Sequence, residues 1–354
     1  MTRLQALAGA MPPEIDCFLI TSDINRRYFT GFKSSAGMLA VFRNTSYLLI
    51  DFRYYEKAKS TVTDCSVIKS ETQYKQLAKL FEKHGVKTIG IEAQKLTIAG
   101  LNLMQKAFKG LEINTSSVLS EQINAMRAVK SAEELEKIKA AQAIAERAFD
   151  FLLGLIKPGV TEKRLAYLLN DYILKNAEAL SFNTIVISGA NTSLPHGEPT
   201  DKEVKKGEFI MLDFGAVFEG YHSDMTRTVA LGAPDGEMSQ VYELVLMAQK
   251  AALEKIKAGV KCREFDSSAR RVITDGGYGK CFGHGLGHGV GLEVHEKPNA
   301  NQRDKSKFSA GNVITCEPGI YIPGKFGVRI EDMAYVTAEG HENLTKAHKG
   351  MMII

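Results

Sequence analysis

EFIMLDFGAVFEGYHSDMTRTV, residues 208–229, contains an apolar run that reaches an aspartate and, after a short connection, a second strand-like segment preceded by another. Asp213 closes the first run and Asp224 precedes the second. Two strands joined across the short FGAVFEGYH segment make a hairpin that brings both carboxylates together. A single aspartate at a strand end is usually a turn or cap residue. Here three further strings follow: HGLGHGVG (284–291), CEPGIY (316–321) and VRIED (328–332). Their His288, Glu317 and Glu331 complete a set of four carboxylates and one imidazole, embedded among glycines and strand residues. Unpaired carboxylates do not survive in an apolar interior. Divalent cations would neutralise them and give each a reason to be inside.

The glycine-rich stretch GHGLGHGVGLEVHE (283–296) invites two other readings, and both fail. No frame in it gives the GxGxxG of a dinucleotide loop. His295-Glu296 does open like a zinc-protease HExxH, but Pro298 breaks the helix that motif needs. Glycine alternating around His284 and His288 suits an extended or irregular backbone that lets a ligand approach closely.

The chain has 354 residues, which at ~150 residues per domain makes two domains. Hydrophobic residues are 44% and charged residues 24%, and the net charge is +4 with acids and bases interspersed. No electrostatic case for nucleic acid arises. No apolar run reaches the ~18 residues of a membrane span, and MTRLQALAGAMPPEID does not read as a signal peptide. Five scattered cysteines without a CxxC pair read as reduced thiols of a cytoplasmic protein. Cys316 adjoins Glu317, and strand geometry turns its side chain to the opposite face.

The first third alternates strands and helices. CFLIT (17–21), GMLAVF (37–42), SYLLID (46–51) and KTIGIE (87–92) read as strands, RYYEKAKS (53–60) and YKQLAKLFEKHG (74–85) as helices. That alternation argues for an α/β sandwich. A boundary near Ser120–Arg127 divides residues 1–124 from 125–354. Ser131 and Glu134 form a capping box that opens a long helix running to Pro158-Gly159. Ile156-Lys-Pro-Gly-Val160 recurs as Ile256-Lys-Ala-Gly-Val260, each between a long helix and another amphipathic one, 164–177 and 265–277. The recurrence indicates two related αβ halves.

In chain order, Asp213, Asp224, His288, Glu317 and Glu331 resemble the metal ligands of the pita-bread metallopeptidases. Within that superfamily the strings look most like the aminopeptidase P and prolidase branch, which cuts Xaa-Pro bonds in short proline-containing peptides. SDINRRYFTGF (22–32) resembles an element of the creatinase and prolidase N-terminal domain. The resemblance implies an α/β (α+β) protein: a creatinase-like domain over 1–124, then a pita-bread catalytic domain over 125–354 with pseudo-two-fold halves. It implies two divalent metal ions per chain. The oxygen-rich set favours manganese, with cobalt, iron or zinc as alternatives. By the same resemblance Glu317 also shuttles a proton, and His196 and His295 stabilise the scissile carbonyl. His284, Tyr321 and Arg329 form the proline-side pocket; Tyr321 as a core aromatic and Arg329 as a partner of the ligand carboxylates are the alternatives. His222 stays unassigned. The family also implies a homodimer.

Several prolidases restricted to dipeptides carry an arginine four residues after the histidine matching His295; here that residue is Asn299, with Arg303 nearby. This points to an Xaa-Pro aminopeptidase, with Xaa-Pro dipeptidase as the alternative. Methionine aminopeptidases share the ligands but lack an N-terminal domain of this kind. Creatinase-like hydrolases and inactive pita-bread binding proteins lose the ligands.

Overall fold

The run Cys17–Ile20 is buried along its whole length, as befits a strand covered on both faces. It is the first of six strands in the N-terminal unit of the computed structural model, which describes residues 1–354. They are β1 (Cys17–Ile20), β2 (Met38–Phe42), β3 (Ser46–Ile50), β4 (Ser66–Lys69), β5 (Thr88–Ile91) and β6 (Glu112–Asn114). The sheet runs β4-β3-β2-β1-β5-β6, antiparallel at β1–β2 and parallel at β1–β5. Leu77 and Phe81 of the helix Gln73–Lys83 and Met104 of the helix Ile98–Ala107 cover one face of it. Gly85 follows the first of these helices at φ 64°, as a left-handed helix end requires. In the 22–32 segment, a helix spans Asp23–Thr30. Buried Glu92 ties it down by accepting from the backbone N–H of Thr21 and Ser22 and from Asn25 Nδ2.

The chain forms two compact units, Met1–Arg127 and Ala128–Ile354. The boundary expected at residue 124 falls inside the helix Val118–Ala128. The Ser131–Glu134 capping box is present, with both reciprocal bonds made. Its helix ends at Leu153, short of the Pro158-Gly159 stop expected from sequence, because Gly154 closes it and a tight turn joins Leu155 N–H to Leu152 O.

The second unit is one plan used twice. Its first half holds β7 (Ala179–Leu180), β8 (Ile185–Ser188), β9 (Glu208–Phe214), β10 (Ala216–Phe218), β11 (Tyr221–His222) and β12 (Met225–Leu231). Its second half holds β13 (Gly287–Gly289), β14 (Glu296–Ala300), β15 (Val313–Cys316), β16 (Gly319–Ile322), β17 (Phe326–Arg329), β18 (Asp332–Val336) and β19 (His341–Asn343); β20 (Met352–Ile353) returns to pair with β12. In the first half, β9 carries Asp213, the β10–β11 hairpin intervenes, Asp224 follows, and β12 pairs back on β9. In the second, β15 leads to Glu317, the β16–β17 hairpin intervenes, Glu331 follows, and β18 pairs back on β15.

The repeated pentapeptide sits at equivalent places in this plan. Gly159 N–H bonds Val204 O at 3.0 Å and Gly259 N–H bonds Phe308 O at 2.8 Å. Glu162 N–H bonds Lys202 O, as Cys262 N–H bonds Ser306 O. Each half has its own apolar core, one around Phe149, Leu169 and Leu212, the other around Val245, Phe265 and Ile314. No helix is long and apolar enough to cross a membrane.

Candidate active site

All five proposed ligands line one cavity of about 520 Å³ in the second unit, together with His196, His284, His295 and Arg329. The strand pattern explains the convergence. Asp213 lies opposite Thr226 in the β9–β12 ladder, and Glu331 N–H bonds Thr226 O at 3.1 Å. Glu317 N–H bonds Leu286 O at 2.9 Å, which fixes it beside the glycine-rich stretch.

Asp224, His288 and Glu331 offer ligand atoms that all lie within 4.8 Å of one another. His288 Nε2 is 3.7 Å from Asp224 Oδ2 and 3.4 Å from Glu317 Oε1. His288 Nδ1 faces Gly289 O at 3.2 Å. That contact assigns the proton to Nδ1 and leaves the Nε2 lone pair aimed at the carboxylates. Asp213 sits beside this cluster, its Oδ2 held by Arg329 Nη2 at 2.5 Å and its Oδ1 buried without a hydrogen-bond partner.

The electrostatics are those of carboxylates crowded together away from water. Burial, then Glu331 and Asp213, push Asp224 well above the usual carboxylate range. Burial, then Glu317 and Asp213, do the same to Glu331. Glu317 rises to about 8, with burial the main cause and Arg329 opposing it. Burial and the neighbouring His295 lower His288 to about 4, so its imidazole is neutral, as a ligand must be. The orphaned Asp213 Oδ1, the crowded carboxylates and the free Nε2 lone pair together fit divalent cations. The oxygen-rich set with one imidazole suits a hard or borderline ion.

Arg329 is buried with four donor contacts made: Nε to Thr226 Oγ1, Nη1 to Pro195 O and to Tyr321 OH, and Nη2 to Asp213. Tyr321 is one layer back from the cavity wall, donating to His284 Nε2 at 2.9 Å while His284 Nδ1 faces Gly285 O. His222 lies outside the cavity, bonded to Ser181 Oγ. Cys316 is buried in the core with Sγ toward Gln249 O.

Two residues that hydrogen-bond the proposed ligands escaped the sequence reading. Thr226 donates to Glu331 Oε2 at 2.7 Å and accepts from Arg329. Thr315 accepts from His288 N–H and donates to Glu317 Oε1. Each is two residues from a proposed ligand, Asp224 or Glu317, which stand just outside β12 and β15, so continuing the strand period of two by one residue was the signal that could have found them. Phe182, Asn183 and Ile185, which also line the cavity, carried no such signal.

Residues 136–338 match metallopeptidase family M24, and residues 3–129 match the creatinase/prolidase N-terminal domain. The chain belongs to metallopeptidase family M24. Members of the family use divalent metals, which agrees with the donor set. Among M24 relatives, the Xaa-Pro dipeptidase of Pyrococcus horikoshii is 37% identical over 96% of this chain and 95% of its own. The structure of an X-Pro aminopeptidase from Thermotoga maritima is 39% identical, with a TM-score of 0.92 over 99% of this chain and 100% of its own. That of an Xaa-Pro dipeptidase from Bacillus anthracis is 37% identical, with a TM-score of 0.95 over 99% of both chains. Both structures share the pita-bread fold of this M24 chain.

Proposed function

We propose that this metallopeptidase hydrolyses the bond between an N-terminal residue and a following proline, as an Xaa-Pro aminopeptidase. The carrying observation is a cavity wall whose hydrogen bonds are already spent. Both ring nitrogens of His284 are engaged, and Arg329 is bonded on all three nitrogens. A proline ring, which brings no N–H, leaves nothing unsatisfied against such a wall.

Asp213, Asp224, His288, Glu317 and Glu331 would hold the metal, read here as two manganese ions. When bound, the ions would polarise the carbonyl and supply an activated water. His196 and His295, which both line the cavity, donate to the carbonyl oxygen as it gains charge. The Glu317 carboxylate holds the proton at Oε and passes it to the leaving proline nitrogen. Arg329 orients Asp213, and Thr226 orients Glu331.

Beyond His284 and Gly285, which line both spaces, lies a second hollow of about 410 Å³ bounded by Arg270, Asn301, Gln302 and Arg303. It offers room for residues after the proline and supports the aminopeptidase reading. Arg303, as a holder for a dipeptide carboxylate, and the relatives named Xaa-Pro dipeptidase support the second reading, a prolidase. In the presence of manganese, kcat/KM for Ala-Pro-Ala is expected to equal or exceed that for Ala-Pro, and Ala-Ala-Ala should be slower by about 10² or more. Cleavage of Ala-Pro alone makes the protein a prolidase. Equal cleavage of Ala-Ala-Ala removes proline from the proposal. A homodimer in the cytoplasm completes the reading, and light scattering at micromolar concentration checks the assembly.

A further inference from the structure

No hydrogen bond holds the His295 imidazole; its ring meets the His288 ring edge to face at 4.2 Å between centroids, and it feels Asp213 and His196 across the cavity. Its position is therefore set by its backbone. That backbone is the last residue of the loop 290–295, whose base is closed by the pairing of Gly289 with Glu296 across β13 and β14. The Glu296 carboxylate packs over Gly291, where even a Cβ would collide with it. The same oxygen that lies nearest Gly291, Glu296 Oε1, meets Lys130 Nζ at 2.5 Å, so the lysine fixes the carboxylate where it touches the loop. The lysine and glutamate side chains are 1% and 6% exposed, so this ion pair is dry. Lys130 is itself fixed, its N–H bonding Gly311 O at 2.8 Å.

We propose that Lys130 is a positioning residue for the reaction, acting through Glu296 to hold the loop that presents His295. The proposal rests on the proposed function for the role of His295 and for the substrate used to measure it. A buried charge pair is a poor source of stability compared with apolar side chains of similar size, but it fixes a geometry. Removing one partner strands a charge; removing both need not weaken the fold. That asymmetry separates positioning from scaffolding.

The test compares wild type, K130R, K130M and the double variant K130M/E296L as metal-loaded proteins. K130R is expected to keep kcat within about threefold. K130M/E296L should melt close to wild type and retain its metal, yet lose kcat by about 10- to 100-fold with KM changed far less, as a displaced oxyanion donor would. A double variant with wild-type kcat overturns the proposal, whether or not K130M alone folds. A second readout is independent of substrate. The imidazole 15N resonances of zinc-loaded protein, with His295 assigned through H295Q, should move for His295 in the double variant. An unmoved His295 signal overturns the proposal even if no Xaa-Pro peptide is cleaved, whereas a moved signal without any Xaa-Pro cleavage by wild type condemns only the substrate reading.

Discussion

Asp224→Asn is expected to abolish turnover while making the metal-free protein no less stable than wild type. Asp224 is 4% exposed, with Glu331, 2% exposed, and His288 as its near neighbours. Asp213, Glu317 and Glu331 all add to its burial in disfavouring its charge. Asparagine keeps the shape and removes one of four crowded carboxylates, one whose ionisation the site already opposes. Metal affinity falls because a ligand charge is gone. A bound ion contributes several kcal/mol of charge stabilisation, and each 1.36 kcal/mol is tenfold, so kcat/KM should drop by about 10³ or more. The metal-free melting temperature at neutral pH should hold or rise, since a neutral amide avoids the burial and like-charge repulsion that raise the Asp224 pKa and cost stability above its unfolded value. Elemental analysis, peptide hydrolysis and a thermal melt in chelator check the three parts. Full metal content with retained activity would falsify the ligand assignment; a lower metal-free melting temperature would contradict the repulsion argument.

Arg227→Met is expected to cost about 3–5 kcal/mol, the usual effect of stranding a buried charge. Arg227 is fully buried, and its guanidinium donates to the carbonyls of Thr226, Glu331, Ala347 and His348 and to Asp332 Oδ1. Asp332, equally buried, accepts also from Gln249, Asn343 and Lys349. Arg227 and Lys349 hold its carboxyl below the usual range against the cost of burial. Methionine removes the cation and orphans several carbonyls at once. At roughly 2–4 °C per kcal/mol for a domain of this size, the melting temperature should fall by about 10 °C. R227M/D332N should lose less than the two single changes added together, because the residues are in contact. Calorimetry decides both points, and a fall of less than about 2 °C for R227M rules out the network as a main stabiliser.

These residues mark what the sequence could and could not reveal. Asp213 and Asp224 were legible because one closes an apolar run and the other opens the strand-like segment that follows a short connection, a local pattern. The duplicated halves were legible through one pentapeptide, since its glycines at φ 89° and 87° serve the same turn twice. Arg227 was not legible. In MTRTV a single arginine reads as the wet face of a strand, and its burial depends on partners more than 100 residues away in sequence. Lys130 was hidden in the same way, its acid lying 166 residues downstream. Chemistry that shares a strand face announces itself locally, whereas a long-range ion pair does not.

The burial of Cys316 has a consequence for inhibitor work. A thiol stands one residue from the acid proposed to carry the proton, yet burial pushes its pKa far above neutrality and its sulfur faces the core. Alkylation needs an exposed thiolate. Intact-mass analysis after iodoacetamide should therefore find Cys316 unlabelled in the native enzyme. Label should go first to half-exposed Cys281, ahead of Cys65, which burial raises to about 12. An electrophilic compound that inhibits this enzyme is thus marking some other part of it, and a cysteine warhead aimed at its catalytic centre has nothing there to react with.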